Sequence, residues 1–149
     1  MTRDLGGGYE LDDDLERIDI AAVHRFISEE SYWAKGRDYG TQEQLVREAT
    51  RVVGLYHDGS QIGFCRAVWV FGLPAVYLAD VYVLTTHRGR GLGVQLVEEM
   101  IERGPFVDRS WILHTGDAHE LYRKFGFREP DHKLMERPAP PVGAGDHLT

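Results

Sequence analysis

"DVYVLTTHRGRGLGVQLVEEM", residues 80–100, joins three kinds of sequence at one corner. A β-branched run comes first. Three glycines follow at alternate positions, Gly89, Gly91 and Gly93, with Arg88 and Arg90 threaded among them. An amphipathic segment then sets Leu92, Leu96, Val97, Met100 and Ile101 on one helical stripe. The order is strand, flexible basic loop, helix. Backbone N–H groups at a helix start lack intrahelical partners, and the helix dipole makes that end positive. Glycine removes the Cβ from a ligand's path and tolerates φ > 0. "RGRGLG" therefore reads as an anion cradle, of the kind that holds phosphate.

Two nucleotide motifs fail at this corner. A P-loop needs Lys-Ser/Thr after its last glycine, and here Val94 and Gln95 follow Gly93. A dinucleotide fingerprint needs G-x-G-x-x-G opening a βαβ unit. The spacing here is G-x-G-x-G, and several strands precede it.

Working outward, "RVVGLY" and "QIGFCRAVWV" alternate as strands around "HDGS", where Asp58-Gly59 signals a hairpin. "AVYLADVYVL" is a central buried strand, and "SWILHT" is the strand after the crossover. "HKLMER" reads as a last strand and "YELDD" as a weak first one. Residues 18–28 carry apolar residues at helical spacing, and Thr41 with Gln44 fits a capping box for a second helix. Asp117 and Glu120 stand as N-cap and N3 of a short helix that Gly126 ends. The element order β, α, α, β, β, β, α, β, α, β predicts a mixed α/β domain with a parallel crossover over residues 76–115. Residues 1–8 read as a flexible N-terminus, 9–136 as one domain, and 137–149 as a disordered Pro/Gly-rich tail.

The corner and its downstream partner resemble the GNAT superfamily of acetyl-CoA-dependent N-acetyltransferases. The signature Arg/Gln-x-x-Gly-x-Gly/Ala is matched by Arg88, Gly91 and Gly93. A second signature, A-x-x-L-Y-x-x-x-G-F, is matched by Ala118, Leu121, Tyr122, Gly126 and Phe127. The resemblance covers about residues 9–136. It implies a GNAT-type mixed, mostly antiparallel sheet flanked by helices, with the crossover at the coenzyme A site. It further implies that the backbone of Val81, Tyr82 and Val83 pairs with a pantetheine arm. By the same resemblance, loop amides of Arg88, Gly89, Arg90, Gly91, Leu92, Gly93 and Val94 hold the pyrophosphate. Tyr122 would be the acid that protonates the leaving thiolate. Thr115 stands where many relatives have an Asn near the pantetheine arm. Where some relatives carry a Glu or His base, this chain has Tyr77 and Ala79, neither of them a good base. Asp80 is adjacent, on the other strand face by period-two alternation. Glu30 and His114 are further base candidates, and ordered water is another route for the proton.

The loop between the first two helices walls the acceptor site in this fold. Here it offers Glu30, Ser31, Tyr32 and Trp33, carboxylate and aromatic surface suited to an ammonium group. The expected reaction is direct transfer of acetyl to the primary amine of a small or amino-acid-like acceptor. A non-catalytic acyl-CoA-binding domain of the same fold is the other reading. The resemblance also implies pairing as a homodimer, as in many small relatives.

Bulk properties narrow the partners. Net charge is −7 over 149 residues, against a general nucleic-acid binder. Residues 1–50 hold 12 acids against 6 Lys/Arg, and residues 51–149 hold 12 against 11, so the acidic bias lies on the acceptor side. Cys65 is the only cysteine, which excludes an intrachain disulfide and fits a reducing, cytoplasmic compartment. Its apolar strand context predicts an inert thiol. Pro74 and Asp80 interrupt the longest apolar stretch, so no membrane span is expected. His114 and His119 straddle a strand-to-helix break, and no metal is expected.

Overall fold

The computed structural model describes residues 1–140. Six strands form one sheet in chain order: β1 (Thr2–Gly6), β2 (Tyr9–Asp12), β3 (Arg51–His57), β4 (Ser60–Val68), β5 (Ala75–Val83) and β6 (Ser110–Ile112). Neighbours are antiparallel except β5 and β6, which are parallel. The parallel pair is joined through α3 (Leu92–Ile101), as a crossover requires. On the opposite face lie α1 (Ile20–Glu30) and α2 (Tyr39–Arg47). The short α4 (His119–Arg123) follows β6.

Each layer follows from its pattern. The stripe of α3 is buried against β3, β4 and β5, with Leu96, Val97 and Met100 at 0% exposure. Each such side chain contributes about 1.5–3 kcal/mol of burial. Val23, Phe26 and Ile27 of α1 and Val46 of α2 close a second cluster with Val52, Phe64 and Tyr82. Phe26 and Tyr82 stack, with ring centroids 4.1 Å apart. Asp58 and Gly59 both take positive φ in the β3–β4 hairpin, the turn chemistry expected of Asp-Gly.

The N-terminal residues 1–8 are not loose throughout. Thr2 to Gly6 pair with β2, and Gly7 and Gly8, both at positive φ, make the two-residue turn. Arg3 Nε donates to Glu99 Oε1 at 2.6 Å, so the strand is held partly by charge from α3. Polar composition hid a strand that pairs with its immediate neighbour and is anchored to Glu99, 96 residues away from Arg3. Residues 132–137 form no strand; the segment is exposed and begins in a turn. Asp38 rather than Thr41 caps α2: its Oδ1 accepts from the Thr41 amide and its Oδ2 from the Thr41 hydroxyl. Asp117 does not cap α4; Thr115 Oγ1 instead accepts from the Ala118 amide at 3.1 Å. The expected tail at 137–149 lies, from residue 141, outside the described residues. Among the described residues no helix is long and apolar enough to cross a membrane.

Candidate active site

Pairing between β5 and β6 runs only from Ala75–Ser110 to Tyr77–Ile112. Beyond it the pairing stops, and the β6-facing edge of Val81, Tyr82 and Val83 has no strand partner among the described residues. The change coincides with a bulge in β5. Phe64 pairs with Tyr82 and Arg66 with Ala79, so two β5 residues, Asp80 and Val81, oppose the single Cys65. Asp80 sits at φ 55°, the left-handed region. Before the bulge Val76 and Leu78 face α3; after it Val83 and the partly buried Val81 do. The bulge shifts the alternation by one residue. Asp80 therefore faces α1 and α2 together with Arg66, on the side that Tyr77 and Ala79 occupy. The period-two argument for the other face fails here because the strand is not regular.

Asp80 is 5% exposed and fully engaged. Its Oδ1 accepts from Trp33 Nε1 at 3.0 Å. Its Oδ2 accepts from Arg37 Nη1 and Arg66 Nε, each at 2.8 Å. Burial is the largest influence on its carboxyl and would raise the pKa. The Arg66 and Arg37 guanidiniums, with the Arg66 and Trp33 hydrogen bonds, outweigh it and hold the group below the ordinary carboxylate range. A carboxylate so stabilised is a structural charge and a poor base.

Two cavities meet at this opening. One, about 430 Å³, runs from Val81, Tyr82 and Val83 along the glycine corner to Tyr122. At the corner Gly91 is the N-cap of α3 at φ 75°, which a Cβ would strain, and a Cβ there would meet nothing within 4 Å. The first amides of α3 are thus open to a ligand. Arg88, Gly89, Leu92 and Gly93 line this cavity, whereas Arg90 and Val94 do not. Arg88 Nε donates to the Val83 carbonyl at 3.0 Å, tying the loop to the end of β5. The residues present fit a bound pyrophosphate arm: a cradle of helix-start amides, glycines with no side chain in the path, and a free strand edge beside them.

The second cavity, about 510 Å³, lies on the Asp80 side of the bulge. Tyr32, Trp33 and Tyr122 line both cavities, so the two are continuous there. The Tyr122 hydroxyl has no hydrogen-bond partner among the described residues, while its ring packs in the core and against Phe127. Burial, with smaller contributions from Cys65, Tyr32 and Asp117, pushes its phenol well up, so it stays protonated. Tyr77 donates or accepts at 2.7 Å with His114 Nδ1, and His114 Nε2 lies 3.2 Å from Glu136 Oε2.

The remaining sequence candidates separate clearly. Glu30 lines the cradle cavity, and Thr115 lines the acceptor-side cavity. Ser31 lines neither. It is buried, its hydroxyl donates to the Ile27 carbonyl and accepts from the Ala34 amide, and it closes the end of α1. Cys65 is fully buried, and burial pushes its thiol up, which leaves it inert. Sequence reasoning missed Arg37 and Arg66. A lone arginine inside "QIGFCRAVWV" was the available signal, because a charge in a buried strand needs a partner.

Comparison with known proteins identifies the family and the fold. Residues 48–129 match the family described as an acetyltransferase (GNAT) domain. The chain belongs to the GNAT acetyltransferase family. It is 32% identical to a Xanthomonas campestris pv. campestris protein assigned to that family, over 89% of this chain and 94% of that one, with a TM-score of 0.79. A Clostridium acetobutylicum protein described as a predicted acetyltransferase and solved with acetyl-CoA shares the fold at 14% identity. That match covers 92% of this chain and 96% of the other, with a TM-score of 0.61. A Gibberella zeae protein named as an acetyltransferase is 23% identical, over 83% of this GNAT chain and 81% of its own.

Proposed function

We propose that this GNAT protein moves the acetyl group of acetyl-CoA to the primary amine of a small acceptor. The observation that carries the reading is the open edge of β5 between the glycine corner and Tyr122. Acetyl-CoA, when bound, supplies the acetyl group as a thioester. The amides of Gly91, Leu92 and Gly93 hold its pyrophosphate, and the backbone of Val81 to Val83 aligns its arm. Tyr122 keeps a proton at its hydroxyl for the departing sulfur. The acceptor enters from the Asp80 side, between the aromatic faces of Tyr32, Trp33 and Tyr77.

The amine must give up a proton. Tyr77 lines the acceptor cavity and hands its own hydroxyl proton to His114 Nδ1 as it takes one up. The Nε2–H of that histidine tautomer donates to Glu136. The tautomer is assigned from this pair of partners. Direct transfer of this kind needs no serine or cysteine nucleophile. The test is thiol release from acetyl-CoA across a library of amines, alcohols and phenols. Release only with alcohols or phenols sinks the amine reading. Tight acetyl-CoA binding with no turnover on any acceptor favours the acyl-CoA-binding module instead.

A further inference from the structure

We propose that the acceptor carries a carboxylate besides its amine, and that Arg66 binds that carboxylate. The inference names the substrate class of the acceptor cavity and rests on the acetyl-transfer reading above. Arg66 sits in the middle of β4, which is paired on both sides, by β3 and by β5. Its side chain is only 10% exposed. A guanidinium carries five N–H donors. One of them, at Nε, reaches Asp80 Oδ2. No other hydrogen bond of the Arg66 side chain is formed among the described residues.

Four donors, on Nη1 and Nη2, therefore remain, and neither nitrogen is among the fully buried unpaired atoms, so this end of the side chain opens into the acceptor cavity. A ligand that fills the cavity strips water from these donors, and leaving them without a new partner costs free energy, more for a charged group than for a neutral one. Asp80 cannot serve them. Its Oδ2 is shared with Arg37, and its Oδ1 is taken by Trp33. The geometry of the fork decides what fits. Asp80 occupies the Nε edge, and the Nη1–Nη2 end stays open. That end is a paired donor set matched to the two oxygens of a planar carboxylate.

Position points the same way. Arg66 lines the cavity from its floor in the sheet, Tyr32 and Trp33 from the loop after α1, and Tyr122 from the side shared with the cradle. Arg66 and Tyr122 line the same cavity, so a molecule whose carboxylate is anchored on Arg66 can carry its amine within the same space. An amino acid, or a short amino-acid-like molecule, has both groups. A plain alkylamine filling the cavity would displace the water on these donors and leave them unmet, and a site that desolvates a polar group rejects analogues lacking its match.

The experiment compares acceptors that differ only in the anionic group: leucine, phenylalanine and glutamate against their α-carboxamides, and isoamylamine against leucine. Turnover is read as thiol release from acetyl-CoA. Binding is read separately, by calorimetry with N-acetyl-leucine and N-acetyl-leucinamide on the CoA-loaded protein, for wild type, Arg66→Lys and Arg66→Gln. The expected preference for the acids is at least about tenfold, the scale of one charge-assisted hydrogen bond. Arg66→Gln should erase that preference, Arg66→Lys should keep part of it, and the affinity for CoA should not change. Equal turnover of acids and amides overturns the carboxylate site while acetyl transfer stands. Arg66-dependent binding of N-acetyl-leucine without turnover of any amine sustains the site and overturns the acetyl-transfer reading. Failure of both N-acetyl compounds to bind, or a preference that survives Arg66→Gln, overturns the site. The comparison of acids with amides on wild-type protein holds even if the Arg66 variants fold poorly.

Discussion

The Tyr32 hydroxyl accepts a hydrogen bond from the Gly116 amide at 2.7 Å, across 84 residues of sequence. Tyr32 comes from the loop after α1, and Gly116 from the loop after β6. The contact therefore bridges the two walls of the opening that the parted β5 and β6 leave. The Tyr32 ring also packs edge-on against Trp33, whose indole is fixed by Asp80. The same hydroxyl donates to Asp117 Oδ1 at 3.5 Å, so two bonds tie the acceptor side to the segment leading into α4. Tyr32→Phe removes both and keeps the ring. A neutral hydrogen bond is worth about 0.5–1.5 kcal/mol, so KM for the acceptor should rise several-fold with the melting temperature little changed. Steady-state kinetics beside a thermal melt check this. A large loss of stability with unchanged KM would place the contact in folding instead.

Gly91→Glu should abolish acetyl-CoA binding and leave the fold intact. The position is at φ 75°, so any side chain costs about 1–2 kcal/mol of backbone strain. No atom stands within 4 Å of the new Cβ, so no clash adds to it. The glutamate would place a negative charge at the helix start that the pyrophosphate needs. Calorimetric titration with acetyl-CoA and a circular dichroism melt give the two readings. Normal binding by this variant would move the phosphate site away from the corner.

Tyr122→Phe should bind acetyl-CoA normally and turn over about 10²–10⁴-fold more slowly, the range for a lost general acid. The hydroxyl has no partner among the described residues, so its removal strands nothing in the protein. Stability should stay within about 0.5 kcal/mol of wild type, the usual range for a change that breaks no buried interaction. An unchanged kcat would reduce Tyr122 to a packing residue.

The corner was legible because its pattern is local. Gly89, Gly91 and Gly93 follow a β-branched strand and precede an amphipathic helix, and each of those signals lies within about ten residues. The crossover and the α3 stripe were readable for the same reason. The bulge at Asp80 was not. Nothing in "YLADVYV" marks an extra residue, because a bulge is a mismatch between two strands and needs both registers to be known. The same holds for β1, whose pairing rests on a turn and on an ion pair to Glu99. Ser31 misled because a hydroxyl beside two aromatics looks like a site until its helix-end bonds are seen. Arg66 was overlooked because its partner, Asp80, is placed by the bulge.

Asp80 makes a prediction about stability that varies with pH. Its carboxyl is held below the ordinary value of 3.8 in the folded protein. The stabilisation is therefore present above about pH 4 and is lost as pH falls through the lower, folded value. Asp80→Asn removes the charge between two buried guanidiniums. Breaking a buried pair from one side costs about 3–5 kcal/mol. Denaturant unfolding at neutral pH should show that loss, and the gap between variant and wild type should narrow toward pH 2. A gap that stays constant with pH would mean that Asp80 contributes through shape rather than charge.

His114 is placed to take the Tyr77 proton, because its Nδ1 lies 2.7 Å from the Tyr77 hydroxyl. Tyr77→Phe cuts that path at its first link and His114→Gln at its second, so each should lower kcat while leaving acetyl-CoA affinity unchanged. Glu136→Gln should lower kcat less, because Glu136 orients the imidazole through Nε2 and touches no reacting atom. Steady-state kinetics beside calorimetric titration with acetyl-CoA separate these cases. A kcat that survives both His114→Gln and Tyr77→Phe would assign the amine's proton to water in the cavity, with the tyrosine and histidine only lining it.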